Sequence, residues 1–234
     1  MQNLQKFYID GQWVAPQSSK KMPVVNPATE EVIGEVILGN EEDVNIAVKA
    51  AKNAFMSFSK TSKEERMNIL KNIRKISEER FDDLADAMTM EMGAPRKMSR
   101  EAQADAAIGH LDGFISALEK HEEKIELSNT DVLLKEPIGV CGLITPWNWP
   151  INQITLKVLP VIETGCTCIL KQSEHTTLSA MVYAEILDKA GVPAGVFNLV
   201  HGDGEGVGIA MSRHPDIEMM PFTGSKRGGK SVTI

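Results

Sequence analysis

Cysteine is scarce in this chain, with three among 234 residues, at Cys141, Cys166 and Cys168. Three cysteines, two of them one residue apart, build neither a disulfide framework nor a four-ligand metal site. That usage fits a reducing compartment. Basic blocks are missing as well, and the formal net charge is −7. This balance argues against a nucleic-acid surface. No apolar run is long enough to cross a bilayer, and no secretory leader pattern stands at the start. The expectation is a cytoplasmic protein with no nucleic-acid partner, no membrane partner and no bound metal.

What is present is the composition of a globular protein, 42% hydrophobic and 24% charged. A chain of this length buries one large core or two modest ones. Lys6–Val14 reads as a small hairpin turning at Asp10-Gly11, and Glu31–Ile37 as another short strand. From Glu41 to Ser59 the apolar residues recur at helical spacing. Ser62 and Glu65 form a capping box, which opens a helix that Gly93 and Pro95 stop. A third helix is expected over Lys97–Leu118. The run of methionines at 88, 90, 92 and 98 reads as core and surface filling. Between His121 and Pro137 the pattern turns strand-like around Ser128-Asn129, too short for a domain but long enough for an arm that pairs with another chain.

From Ile138 onward short apolar strands alternate with helices. The strands are Ile138–Thr145, Cys166–Leu170 and Val196–Val200, then a strand-like Ile217–Phe222. The helices between them are Ile151–Ile162, Thr177–Ala190 and about Glu205–Ser212. This alternation predicts right-handed crossovers and a parallel sheet. In such sheets ligands sit beyond the carboxyl ends of the strands. Polar or glycine-rich loops fall at four of those ends: Thr145–Asn148, Lys171–Glu174, His201–Gly208 and Thr223–Ser225.

The most informative stretch is Thr145-Pro146-Trp147-Asn148-Trp149-Pro150. Pro150 suits a first helical turn, where a missing N–H costs nothing. Asn148 is the only polar side chain between the two prolines, and its amide can donate. The Gly202–Gly208 loop follows a strand and opens a helix, as a phosphate-binding turn would. Its glycines stand at positions one, three and seven rather than one, three and six, so a plain flexible turn fits equally well. Lys171-Gln172-Ser173-Glu174 puts a cation and a carboxylate at a strand end, where a carboxylate can accept from ribose hydroxyls. Gly224–Ser231 fits the G-x4-G-K-S phosphate-loop pattern. That motif calls for a helix after it, and the sequence stops three residues later. We read the match as chance and keep a nucleoside-triphosphate site at Lys230 as a minor alternative.

Five stretches carry a family resemblance together: Asn26–Glu31, Thr145–Pro150, Leu170–Glu174, Gly191–Val200 and Phe222–Ser225. In this order and in these words the chain resembles the NAD(P)-dependent aldehyde dehydrogenase superfamily along nearly its whole length. The resemblance implies an α/β fold, Rossmann-like, with a mostly parallel sheet, helices on both faces and a small β-hairpin oligomerisation arm. It divides the chain into a cofactor-binding domain, residues 1–120 and 138–234, and the arm, residues 121–137. The implied reaction oxidises an aldehyde to a carboxylic acid through a cysteine thiohemiacetal, with hydride passing to NAD or, less fittingly, NADP. Asn148 resembles the oxyanion donor, a role that can be worth about 3 kcal/mol. Lys157 resembles a lysine beside the catalytic centre. Ile144, Thr145, Pro146 and Trp147 resemble the lining of the cofactor cleft, and Lys171 and Glu174 the pair that holds the adenine ribose. Glu174 would repel a 2′-phosphate and so favour NAD. Gly204, Phe222, Gly224 and Ser225 match further cofactor contacts.

Two departures stand out. Gln172 replaces the proline usual in the Lys171–Glu174 motif. Family members also run to roughly twice this length, and their nucleophilic cysteine and general-base glutamate lie beyond Ile234. None of the three cysteines here has the nucleophile's sequence setting. The expectation is a cofactor-binding part that lacks the catalytic domain, assembles as a dimer or tetramer and accepts an aldehyde only in a longer context. The competing expectation is a catalytically silent product that only binds NAD or pairs with other chains.

Overall fold

The computed structural model describes residues 3–233. Its centre is a five-stranded sheet in the order β2 (Gln12–Val14), β1 (Phe7–Ile9), β9 (Phe197–Leu199), β8 (Thr167–Lys171), β7 (Val140–Ile144). β7, β8 and β9 run parallel, with Cys141 opposite Cys168 and Cys168 opposite Phe197. β1 lies antiparallel to both β2 and β9. Ile217–Phe222 continues the sheet beyond β7 through parallel bridges at Met219 and Phe222. There Gly142 donates to the Met219 carbonyl at 2.8 Å and Ile144 to the Pro221 carbonyl at 3.1 Å. The mostly parallel α/β sheet expected from the alternation is therefore present.

Two cores flank the sheet, and strand alternation sorts residues between them. Cys141, Leu143, Cys168, Leu170, Phe197 and Leu199 face α2 (Lys63–Glu79), α3 (Phe81–Met92), α5 (Asp105–Lys120), α6 (Pro150–Glu163) and α7 (Thr177–Lys189). Val140, Ile144 and Ile169 face α1 (Glu41–Phe58), along with Val207 and Met211 of the segment that ends in α8 (Ile209–Arg213). Crossover helices on both faces follow from right-handed connections between parallel strands.

The helix starts are written locally. The Asn40 side chain accepts from the N–H groups of Glu42 and Asp43, while Asp43 reaches back to the Asn40 N–H at 3.0 Å. Ser62 and Glu65 make the same reciprocal box on α2, as the sequence predicts. α7 has no cap of its own. Its first N–H groups are met by Glu91 of α3, which accepts from Leu178 at 2.5 Å and Ser179 at 3.1 Å. An acidic group suits the positive end of a helix dipole.

Three local expectations need correction. The helix opened at Ser62 is two helices, broken at Arg80, whose backbone leaves the helical region. Arg80 bonds Asp83 and also Glu185 of α7, at 2.9 Å for the latter, so tertiary pairing holds the break. The third helix begins with α4 (Arg96–Met98) and a π-helical turn, Ser99–Ala104, before α5. A strand that periodicity missed, β3 (Lys20–Val25), pairs antiparallel with β4 (Val32–Leu38). Two lysines and Pro23 hide its alternation, and Pro23 is tolerable because this ribbon has only two strands.

β5 (Lys124–Glu126) and β6 (Val132–Leu134) form a separate two-stranded ribbon at the predicted arm. Leu127, Leu133 and Leu134 on it are exposed. No helix among the described residues is long and apolar enough to cross a membrane.

Candidate cofactor site

The carboxyl ends of β7, β8, β9 and the Ile217–Phe222 strand open onto one cleft of about 880 Å³. Every residue assigned by resemblance to cofactor contact lines it: Ile144, Thr145, Pro146, Trp147, Lys171 and Glu174 on one side, Gly204, Phe222, Gly224 and Ser225 on the other. Asn148 lines it too. Parallel strands bring these loops side by side although 81 positions separate Ile144 from Ser225 in the numbering.

Each wall has a physical cause. Thr145 follows β7 with its N–H bonded to the Lys171 carbonyl at 3.3 Å, which ties the first two loops together. Its Oγ1 is buried with no hydrogen-bond partner. A buried hydroxyl without a partner is costly to keep. Lys171 is buried, and its Nζ stands 3.2 Å from Glu174 Oε2, a carboxylate whose side chain is 29% exposed. Trp147 is 54% exposed over the cleft, a large apolar ring with an uncovered face.

The glycine loop divides its labour. A Cβ on Gly202 would lie 2.3 Å from Val207, so that glycine serves the loop's own packing. A Cβ on Gly204 would meet nothing within 4 Å, so the missing side chain keeps cleft volume free. Asp203 caps the turn by accepting from the Gly206 N–H at 2.7 Å, and Lys20 pairs with the same carboxylate at 2.7 Å. These features, an orphan hydroxyl, a cation–carboxylate pair and an unfilled glycine wall at a helix start, fit a dinucleotide.

Lys157 does not line the cleft. It sits behind it on α6, buried, and donates to Thr223 Oγ1 at 2.6 Å and Gln153 Oε1 at 3.3 Å. Burial lowers its pKa from the ordinary lysine value. Thr223 does line the cleft, so Lys157 reaches it through one hydroxyl.

The phosphate-loop alternative fails on geometry. α9 (Lys226–Val232) begins inside the motif, capped by Ser225 Oγ, which accepts from the Gly228 N–H at 3.1 Å. The helix lies within the motif rather than after it, where the phosphate-loop reading requires one. Lys226, Arg227 and Gly228 are already helical, whereas a phosphate loop keeps the residues between its two glycines as a loop that cradles the phosphates. The segment nevertheless supplies cleft residues that sequence reasoning missed, Arg227 and Ser231 among them. Their signal was the match to the glycine-rich motif, set aside because it fitted a different site.

No thiol faces the cleft among the described residues. Cys141, Cys166 and Cys168 are buried in the core between the sheet and its helices. A hydrogen bond to Cys166 and burial both raise the Cys141 pKa far above the thiol range, and burial does the same to Cys168. Among the described residues no group of acidic, cysteine or histidine side chains could hold a metal.

Fold and site together define a dinucleotide-type α/β protein with its ligand cleft at the strand ends. The aldehyde dehydrogenase family model matches residues 13–233, and the chain belongs to that family. It is 47% identical over 234 residues to 3-succinoylsemialdehyde-pyridine dehydrogenase from Pseudomonas sp, covering 100% of this chain and 49% of that protein. A putative aldehyde dehydrogenase from Staphylococcus aureus (strain bovine RF122 / ET3-1) is 47% identical over 232 residues, covering 99% of this chain and 49% of that protein. Among solved structures, an aldehyde dehydrogenase from Bartonella henselae superposes with a TM-score of 0.96 at 46% identity, covering 98% of this chain and 49% of its own. A mutant of aldehyde dehydrogenase C from Pseudomonas syringae, complexed with NAD+ and octanal, gives a TM-score of 0.97 at 47% identity, covering 99% and 48%. The chain thus spans about half the length of the relatives it matches.

Proposed function

We propose that this chain is the cofactor-binding part of an NAD-dependent aldehyde dehydrogenase. The observation that carries the reading is the convergence on one cleft of all ten residues assigned to the cofactor. A neighbour of 47% identity is described as an NAD+ complex, which supports the same ligand here. In this reading residues 1–120 and 138–234 make up the cofactor domain, and residues 121–137 the arm.

Lys171 and Glu174 hold the adenine ribose, the carboxylate accepting from its hydroxyls. Glu174 repels a 2′-phosphate and so selects NAD over NADP. Gly204 and the turn behind it admit the pyrophosphate, with Ser225 and Gly224 closing the far side. The bound nicotinamide supplies the hydride acceptor. Thr145 Oγ1 gains the partner it lacks in the protein. Asn148 presents its amide N–H to the oxygen of a reacting aldehyde, a preorganised donor to developing charge. Lys157 acts through Thr223 and keeps that hydroxyl oriented.

Attack on the aldehyde needs a thiolate, and the three thiols here are in the core. The isolated 234-residue chain is therefore expected to bind NAD saturably, read as quenching of Trp147 fluorescence, and to oxidise no aldehyde. Steady NADH formation that survives replacement of all three cysteines would overturn this assignment. We further propose a cytoplasmic homo-oligomer, supported by the exposed leucines of the β5–β6 arm.

A further inference from the structure

Gln172 directly follows β8, and the structure shows what its amide does. Gln172 Nε2 donates to His201 Nδ1 at 2.6 Å, across 29 positions of sequence. Both side chains are fully buried, at 0% exposure, and neither lines the cleft. Gln172 begins the loop after β8, and His201 begins the loop after β9. The last backbone rung between these strands is the Val200 N–H to the Leu170 carbonyl, at 3.1 Å. Beyond that rung the two loops part, one carrying Lys171, Ser173 and Glu174 to the cleft and the other Gly204, Glu205 and Gly208.

We infer that the Gln172–His201 hydrogen bond is an added rung that sets the spacing of the two cofactor loops, and that both residues are positioning residues for the adenosine half of the ligand. This rests on the cofactor reading above. The histidine end is itself anchored, because the His201 carbonyl accepts from the Gly39 N–H at 2.8 Å and the ring meets Phe7 edge-on at 5.7 Å. Burial pushes the His201 pKa down to about 3, so the ring stays neutral and Nδ1 remains an acceptor. The arrangement is kept at a cost. Gln172 Oε1 and His201 Nε2 are both buried without partners. A purely structural position would be filled better by apolar side chains, since two unpaired polar atoms destabilise the core. A proline at 172 would stiffen one loop alone, whereas the amide couples two.

The test titrates three ligands into the 234-residue chain and its variants: NAD, AMP and nicotinamide mononucleotide. Gln172→Met keeps length and removes the bond. It is expected to weaken AMP and NAD by about five- to tenfold, the worth of one neutral hydrogen bond, and to leave nicotinamide mononucleotide within about twofold. Gln172→Pro, which fixes the loop by another means, is expected to retain AMP binding, even where Gln172→Met lowers the melting temperature. His201→Leu combined with Gln172→Met should be no worse for AMP than either alone, because the two act through one bond. AMP binding unchanged in Gln172→Met overturns the rung, as does equal loss of AMP and nicotinamide mononucleotide. Wild-type chain that binds none of the three overturns the cofactor reading together with the rung.

Discussion

In the proposed cofactor reading, Glu174 carries the preference for NAD on a single charge. Its Oε2 stands 3.2 Å from Lys171 Nζ, so neutralising it removes the direct ion pair of the buried ammonium. Glu174→Gln is expected to raise NADP affinity relative to NAD by about tenfold, one like-charge repulsion removed near a protein surface. Paired titrations of the two dinucleotides read the ratio, and an unchanged ratio sinks the assignment. Glu91 makes the pH-dependent contribution. Burial raises its pKa from 4.5 to about 7, against the opposing bonds from Ser179 and Leu178. The unfolded chain loses that proton near the ordinary value and the folded chain holds it longer. Stability from this group is therefore complete below about pH 4.5 and lost as pH rises through about 7. Between pH 5 and pH 8 the wild type should lose up to about 3 kcal/mol more than Glu91→Gln, in denaturant titrations at the two pH values. Gly195 shows what a single hydrogen atom can secure. Its φ is +78°, and a Cβ would lie 2.7 Å from the Ala50 carbonyl oxygen of α1. Gly195→Ala is expected to cost about 2–3 kcal/mol, combining a disfavoured backbone with a clash against rigid main chain. A melting temperature within about 2 °C of wild type would contradict this.

At the scale of elements, local chemistry was legible and tertiary decisions were not. The Ser62–Glu65 box announced α2 because both halves of the cap lie within four residues of sequence. The break at Arg80 was invisible, because its cause, Glu185, is 105 positions away. β3 was missed for a related reason: its partner β4 supplies the regularity that Lys20, Lys21 and Pro23 conceal. The cleft residues were legible through the strand ends, where parallel topology gathers polar loops whatever their separation. The phosphate-loop match at Gly224–Ser231 was read as chance, and its residues from Lys226 on build a helix instead of a loop. The β5–β6 ribbon carries a prediction of its own. Leu133→Lys with Leu134→Lys is expected to convert an oligomer into monomers without weakening NAD binding. Light scattering and the NAD titration, run on the same sample, separate the two effects; an unchanged mass rejects the arm as the interface.

At the scale of the whole molecule, β1 lies beside a strand from the far part of the sequence, β9. Tyr8 of β1 stands opposite Leu199 of β9, and Asn198 Oδ1 accepts from the Asp10 N–H at 3.0 Å across 188 positions. Phe7, fully buried in the α1-side core, shares its cluster with Val200, which directly follows that distant strand. On a ribosome working at about 5–20 residues per second, β1 waits roughly 10–40 s for its partner. The β1–β2 hairpin is thus made well before the strand it pairs with. Slower translation lengthens the interval in which the hairpin lacks that partner strand.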